Sequence, residues 1–223
     1  MQKLVFFDLD GTLINNPSSE RLYLFWLFAH GHIGIKQIIY VLKFIGKWSH
    51  KFKSEILVKN KAYLCDLPVE ETIQKAKQFT REKLLPRLRP CVVSRLKQHQ
   101  ARGDIIILLT GAPKFIAEVF AKQLEIFEIS AAEFYHANDR FNDLPPSQHP
   151  FAQEKVTVAQ RVCAKYNTDL GNSVAYANSI HDLALLEKVG RAIAVTPDRK
   201  LRRIAAQRKW EIIGVESLQS TTL

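Results

Sequence analysis

The sequence predicts an α/β fold: a doubly wound, Rossmann-like parallel sheet carrying an inserted bundle of helices. Three observations lead there. Short apolar runs at residues 4–7, 105–109, 173–177 and 192–195 read as buried strands, and helical stretches separate them. The run Ile105–Leu109 is wholly apolar, as in a strand covered on both faces, which is the habit of parallel sheets. Residues 20–85 read as helices with no strand among them, which places a helical unit between the first two strands. The expected division is a core of residues 1–15 and 86–223, with a cap of residues 16–85.

The first strand carries the main chemical signal. Val5, Phe6 and Phe7 are bulky and apolar, and Asp8-Leu9-Asp10-Gly11-Thr12 follows directly. Continued as a strand, Asp8 and Asp10 share a face, and two close carboxylates repel unless a cation or proton is shared. The carboxyl end of a central strand is where open α/β sheets bind ligands.

After Asn15-Asn16-Pro17 comes a helix start, with Ser18 or Ser19 as the cap. Four helical pieces are expected over about residues 20–29, 35–48, 51–65 and 69–85. Leu22–Ala29 is wholly apolar, and its aromatic residues Tyr23, Phe25, Trp26 and Phe28 have two readings. One is the cap's own core; the other is an interfacial surface, with the lysines of the next segment, reaching lipid phosphates. The apolar runs are too short, and too interrupted by His30, His32, Lys36 and Gln37, to span a bilayer.

Residues 90–101 form a further helix, and the Ile105–Leu109 strand ends in Thr110-Gly111-Ala112-Pro113. A hydroxyl followed by glycine at a strand end, just before a helix, suits a phosphate: Thr110 donates its O–H and the Gly111 N–H approaches closely. Glu133–Phe141 reads as a hairpin around Asn138-Asp139; His136 and His149 are near-site possibilities, read first as surface or loop histidines. Lys155 falls in the first turn of a helix over residues 151–166, where a cation opposes the helix dipole. The strand over residues 173–177 is followed by Asn178-Ser179-Ile180-His181-Asp182. A helix opens at Pro197-Asp198, Ile212-Ile213 closes the sheet, and a polar, frayed tail is expected after Glu216.

In order, these segments resemble the haloacid dehalogenase (HAD) superfamily, specifically its subfamily IB, which carries a helical cap and includes phosphoserine phosphatase. The resemblance implies a nucleophile at Asp8, a general acid/base at Asp10, a phosphate grip at Gly11, Thr110 and Gly111, and a neutralising lysine at Lys155, ahead of Arg161 and Lys165. It implies Mg²⁺ as cofactor, held by Asp8, the main chain of Asp10, Asn178 and Asp182. The fourth motif of this group reads Gly-Asp-Ser-x-x-Asp, so Asn178 replaces the usual acid with an amide. Its oxygen still suits a hard ion, at the loss of one charge. In phosphoserine phosphatases a glutamate soon after the first motif receives the substrate amine. Pro17 holds the matching offset here and Glu20 lies one turn later. The implied activity is hydrolysis of a small organic phosphate through an aspartyl phosphate. A lipid-phosphate phosphatase of the phosphatidylglycerophosphatase type, a weakened phosphate-binding protein and a phosphotransferase are the other readings.

Composition bounds the partners. The net charge of +10 and pI near 9.6 fit attraction to phosphates, acidic lipid or nucleic acid, but no nucleic-acid-binding module is recognisable. Peripheral membrane contact through the cap stays open. Cys65, Cys91 and Cys163 are isolated and odd in number, against a disulfide framework and for a reducing compartment. Asp8 and Asp10 interrupt the place where an export signal needs an apolar run, so a cytoplasmic location is expected.

Overall fold

The structure, a computed structural model, describes residues 2–214. Its strands are β1 (Leu4–Phe7), β2 (Ile105–Pro113), β3 (Glu128–Ala132), β4 (His136–Ala137), β5 (Arg140–Phe141), β6 (Val174–Ala177), β7 (Arg191–Val195) and β8 (Glu211–Ile213). β4 and β5 make the expected hairpin. The other six form one parallel sheet in the order β3-β2-β1-β6-β7-β8. From β1 the chain winds outward through β2 and β3, then returns to lay β6, β7 and β8 on the other side. The order therefore reverses between β1 and β6, and loops leaving those two strands diverge to open a crevice.

Alternation along β1 sorts its side chains into the two layers. Val5 and Phe7 enter one apolar cluster, Leu4 and Phe6 the other. Phe6 and Phe7 are fully buried, each contributing about 2–3 kcal/mol of transfer free energy.

The helices are α1 (Ser19–Ala29), α2 (Ile35–Phe52), α3 (Ile56–Lys59), α4 (Val69–Phe79), α5 (Pro90–Ala101), α6 (Lys114–Leu124), α7 (Gln153–Lys165), α8 (Leu183–Leu186) and α9 (Arg199–Gln207). Val92 and Leu96 of α5 and Ile116 and Phe120 of α6 cover one face of the sheet. Val156 and Ala159 of α7, Leu185 of α8 and Leu201 of α9 cover the other. α1 to α4 lie between β1 and β2, as expected, and Tyr23, Leu27 and Phe79 join the α5–α6 cluster.

Four local expectations change. Residues 51–65 are not one helix. α2 runs to Phe52, Lys53 takes a positive φ of 44°, and α3 is a single turn. Asn60 then replaces helical bonds with its own: its amide donates to the Val41 carbonyl at 3.1 Å and accepts from the Ala62 N–H at 3.1 Å. After Phe79 the expected helix widens into a π turn (Thr80–Leu84) and a 3₁₀ turn (Leu85–Arg87), where Pro86 lacks an N–H. β3 was not visible as a strand, because Glu128, Ile129 and Ser130 are all partly exposed and show no alternation. Finally, the aromatics of α1 divide: Tyr23 is buried and Trp26 packs against the core, whereas Phe25 and Phe28 face solvent. The tail after Glu216 lies outside the described residues.

Candidate active site

β1 stops at Phe7, and the Asp8 N–H donates to the Tyr176 carbonyl at 3.0 Å, tying the turn to β6. The expected continuation as a strand does not occur, so the two carboxylates part. Asp8 turns inward to Lys155. Asp10 turns towards the start of α1, accepting from the Ser19 N–H at 2.7 Å and from its Oγ at 3.1 Å. Gly11 sits at φ +78°, and a Cβ there would lie 2.1 Å from Asn178 Nδ2. Glycine is thus required both for the turn and for the close approach of the β1 and β6 loops.

α7 delivers Lys155 from its first turn into the interior. Its Nζ donates to Asp8 Oδ1 at 2.7 Å and to Asp182 Oδ1 at 2.5 Å. Burial alone would push this ammonium down; Asp182 and Asp8 outweigh it and hold it above its ordinary value. The unfavourable position on the helix dipole is offset by two buried carboxylates. Thr12 Oγ1 lies 3.3 Å from both Asp8 Oδ2 and Asn178 Oδ1, so these two oxygens converge. Thr110 is buried at the end of the apolar part of β2, and its Oγ1 accepts from the Ala112 N–H at 3.1 Å.

Burial pushes the Asp8 carboxyl up to about 7; Lys155 opposes this, while Asp182 and Asp10 add to it. Burial likewise raises Asp10 to about 6, against the hydrogen bonds from Ser19. Asp8 and Asp182 share the Lys155 ammonium, and the other buried ammonium of the cavity, Lys61, is taken by Glu20. The convergent Asp8 and Asn178 oxygens are hard neutral or anionic donors, which fits a magnesium ion. Among the described residues no group of three His, Cys, Asp or Glu side chains forms a metal cluster, so an ion here would need a donor of another kind, such as the Asn178 amide oxygen.

The structure brings Asp8, Asp10, Thr110, Gly111, Lys155, Asn178 and Asp182 to one cavity of about 430 Å³, and Glu20 to its wall. Gly11 lies beside it against Asn178. Glu20 is already engaged: its carboxylate accepts from Tyr63 OH at 2.9 Å and pairs with Lys61. Lys61 and Tyr63 were not anticipated, since nothing near them in the chain marks chemistry. His149 is the clearer correction. It is no surface loop residue but is buried in the cavity wall, and a Cβ on Gly111 would approach its Nε2 to 3.2 Å. Burial, with Lys61 and Lys59 nearby, lowers it to about 3, so it is neutral at physiological pH. His136 is exposed on β4, away from the site.

The site is a crevice at the switch point of a doubly wound sheet, where a buried lysine clamps the carboxyl groups of Asp8 and Asp182. Comparison with known proteins gives the class. The family model for haloacid dehalogenase-like hydrolases matches residues 5–187, and the chain belongs to that family. A curated relative, histidinol-phosphatase of Neisseria meningitidis serogroup C (strain 8013), is 24% identical over 221 residues, covering 96% of this chain and 99% of its own. Among solved structures, a protein of unknown function from Bordetella pertussis Tohama I matches with a TM-score of 0.78 at 25% identity, over 95% of this chain and 98% of that one. A phosphoserine phosphatase in its apo form matches with a TM-score of 0.63 at 17% identity, over 95% and 92% of the two chains, a likeness of fold. This chain is an enzyme of the HAD type, and it keeps the family's fold with the helices inserted between β1 and β2.

Proposed function

We propose that this enzyme is a Mg²⁺-dependent phosphomonoester hydrolase that works through an aspartyl phosphate at Asp8 on a small organic phosphate. The observation that carries this is the buried bridge from Lys155 to Asp8 and Asp182, at 2.7 and 2.5 Å. It positions a carboxylate at the crevice floor and supplies a fixed cation for the transferring group. In the first step an Asp8 oxygen bonds to phosphorus and the phosphorus–alkoxide bond breaks. The alkoxide takes the Asp10 proton. Water then attacks phosphorus, Asp10 recovers a proton from it, and the bond to Asp8 breaks to release phosphate. A carboxyl near 6 can both give and take that proton near neutrality. Thr110 and Gly111 hold the phosphoryl oxygens. Asp8, Asn178 and the Asp10 main chain would hold the magnesium ion, with Asp182 behind them, and the ion would supply charge to the phosphoryl group.

Residues 16–85 act as the cap over this crevice, in keeping with subfamily IB. Glu20, on the cavity wall one turn past Pro17, is the candidate to receive a substrate amine; Lys61 pairs with it, so an amine-bearing phosphate would displace Lys61. The second reading, a lipid phosphate, is favoured by one observation. Arg21 and Leu57 line both the catalytic cavity and an apolar groove of about 550 Å³ between α1 and α2, so an apolar tail has somewhere to go. A reducing, cytoplasmic compartment fits the free thiols of Cys65, Cys91 and Cys163, and no helix among the described residues is long and apolar enough to cross a membrane.

The test is phosphate release from an aryl phosphate with and without Mg²⁺, by the native protein and by Asp8→Asn. Release by the native protein that needs the ion and falls at least about a thousandfold in the variant supports the reading. Turnover retained by Asp8→Asn removes Asp8 as nucleophile. Histidinol phosphate, phosphoserine and a long-chain alkyl phosphate, compared by kcat/KM, then separate the two substrate readings.

A further inference from the structure

α1 and α2 each bury one side and leave an apolar side uncovered. On α1, Tyr23 and Leu27 are buried, while Leu24, Phe25 and Phe28 lie on the opposite face. On α2 the buried stripe is Gln37 and Phe44, with Val41 and Trp48 partly buried beside them. Ile35, Ile38, Ile39 and Leu42 repeat at helical spacing on the other side, and Ile35 is 78% exposed and Leu42 61%. Phe25 at 71% and Leu57 at 71% extend the same surface. Single exposed hydrophobes need no explanation, but a continuous patch across two helices does.

From Arg21 to the end of α2 the chain carries charge of one sign. Residues 21–54 contain no Asp or Glu, and they carry Arg21, Lys36, Lys43, Lys47, Lys51 and Lys53. Helical spacing puts Lys36, Lys43 and Lys47 on the flank of α2 between its buried and its apolar stripe. Lys36 pairs with Asp66; Lys43 and Lys47 make no ion pair among the described residues. An apolar stripe bordered by lysines is the pattern of a helix lying in the plane of a bilayer interface, its apolar side among the acyl chains and its cations among the headgroups. A second copy of this chain fits poorly, because it would press Lys43 and Lys47 against their own equivalents and oppose two molecules of +10 charge.

The geometry points to the exposed face of α1 and α2 as a docking surface for an anionic lipid bilayer. This surface is distinct from the catalytic residues and would hold whether the enzyme's substrate is soluble or lipid.

The full chain is centrifuged with vesicles of phosphatidylcholine alone and of phosphatidylcholine with phosphatidylglycerol. The same is done for Asp8→Asn, for the charge variant Lys43→Glu/Lys47→Glu, and for the apolar variant Ile35→Ser/Ile39→Ser/Leu42→Ser. Preferential binding to the anionic vesicles is expected, weakening as salt rises and unchanged in Asp8→Asn. Each surface variant should lower the partition coefficient by about tenfold or more, with circular dichroism and aryl-phosphate turnover retained. Three results would overturn the proposal: no partition onto anionic vesicles, equal partition onto neutral ones, or sedimentation-velocity evidence of a dimer that the apolar variant dissolves. Because vesicle binding is read without catalysis, its failure is separable from failure of the phosphatase reading.

Discussion

Burial at the end of β1 holds the Asp8 carboxyl near 7, well above its ordinary value of 3.8. Between those two values the folded protein binds protons that the unfolded chain has released, so this group makes stability fall as pH rises across that window. Asp8→Asn removes the ionisation. In the presence of a chelator the variant should therefore be more stable than the native protein at pH 8, by about a few kcal/mol, and lose that advantage at pH 4. Urea denaturation at the two pH values measures this; an Asp8→Asn protein less stable at pH 8 would show that Lys155 alone satisfies the carboxylate. Asn178 allows a second expectation. Its Oδ1 and Asp8 Oδ2 both lie 3.3 Å from Thr12 Oγ1, so a carboxylate at 178 would face Asp8 directly. Asn178→Asp should lower the Mg²⁺ concentration for half-maximal activity by about tenfold, since site affinity follows ligand charge. Without the ion the same variant should unfold more readily than the native protein.

The elements that bring the candidate catalytic groups together were legible because each group is attached to a local pattern. Asp8, Asp10 and Thr110 follow apolar strands, and Lys155 opens a helix, so neighbouring residues announce them. The Glu20–Lys61–Tyr63 cluster and buried His149 were not, because they are assembled by chain segments far apart in sequence. The aromatics of α1 kept two readings, cap core and interfacial surface, for a related reason: in a run such as Leu22–Ala29 every residue is apolar, and the pattern cannot say which side the rest of the molecule covers. At α6 the sequence carries a small local conflict. Glu125 follows the helix in the left-handed region, at φ 55° and ψ 44°, with its N–H bonded to the Ala121 carbonyl. That position favours glycine. Glu125→Gly should raise stability by about 0.5–1 kcal/mol with activity unchanged, as read by chemical denaturation. A loss of stability would mean that the pair of Glu125 with Lys97, 4.0 Å apart and exposed, outweighs backbone strain.

Across the whole molecule, α1 to α4 are fastened to the core unequally on two sides. On one side the seam is apolar: Tyr23 of α1 packs against Phe115 of α6, with ring centroids 6.2 Å apart. Tyr23 is itself fixed against α4, packed on Phe79 and donating its hydroxyl to the Thr72 carbonyl at 2.9 Å. On the other side, above the crevice, Lys59 of α3 donates to Glu154 Oε2 at 2.9 Å, and Glu154 Oε1 accepts the His149 N–H at 3.0 Å. An opening motion that admits substrate would cost most at the apolar seam and least at this ion pair. The seam is then the hinge, and the Lys59–Glu154 contact is the latch beside Lys155. A half-exposed ion pair is worth about 0.5–1 kcal/mol, so Lys59→Ala should shift the closed state by a factor of about two to five. KM should rise by that factor while kcat holds or increases, because opening also releases product. Raising the salt concentration should move the native enzyme in the same direction and leave Lys59→Ala almost unaffected. If KM and its salt dependence are the same in both proteins, the Lys59–Glu154 contact carries no part of closure.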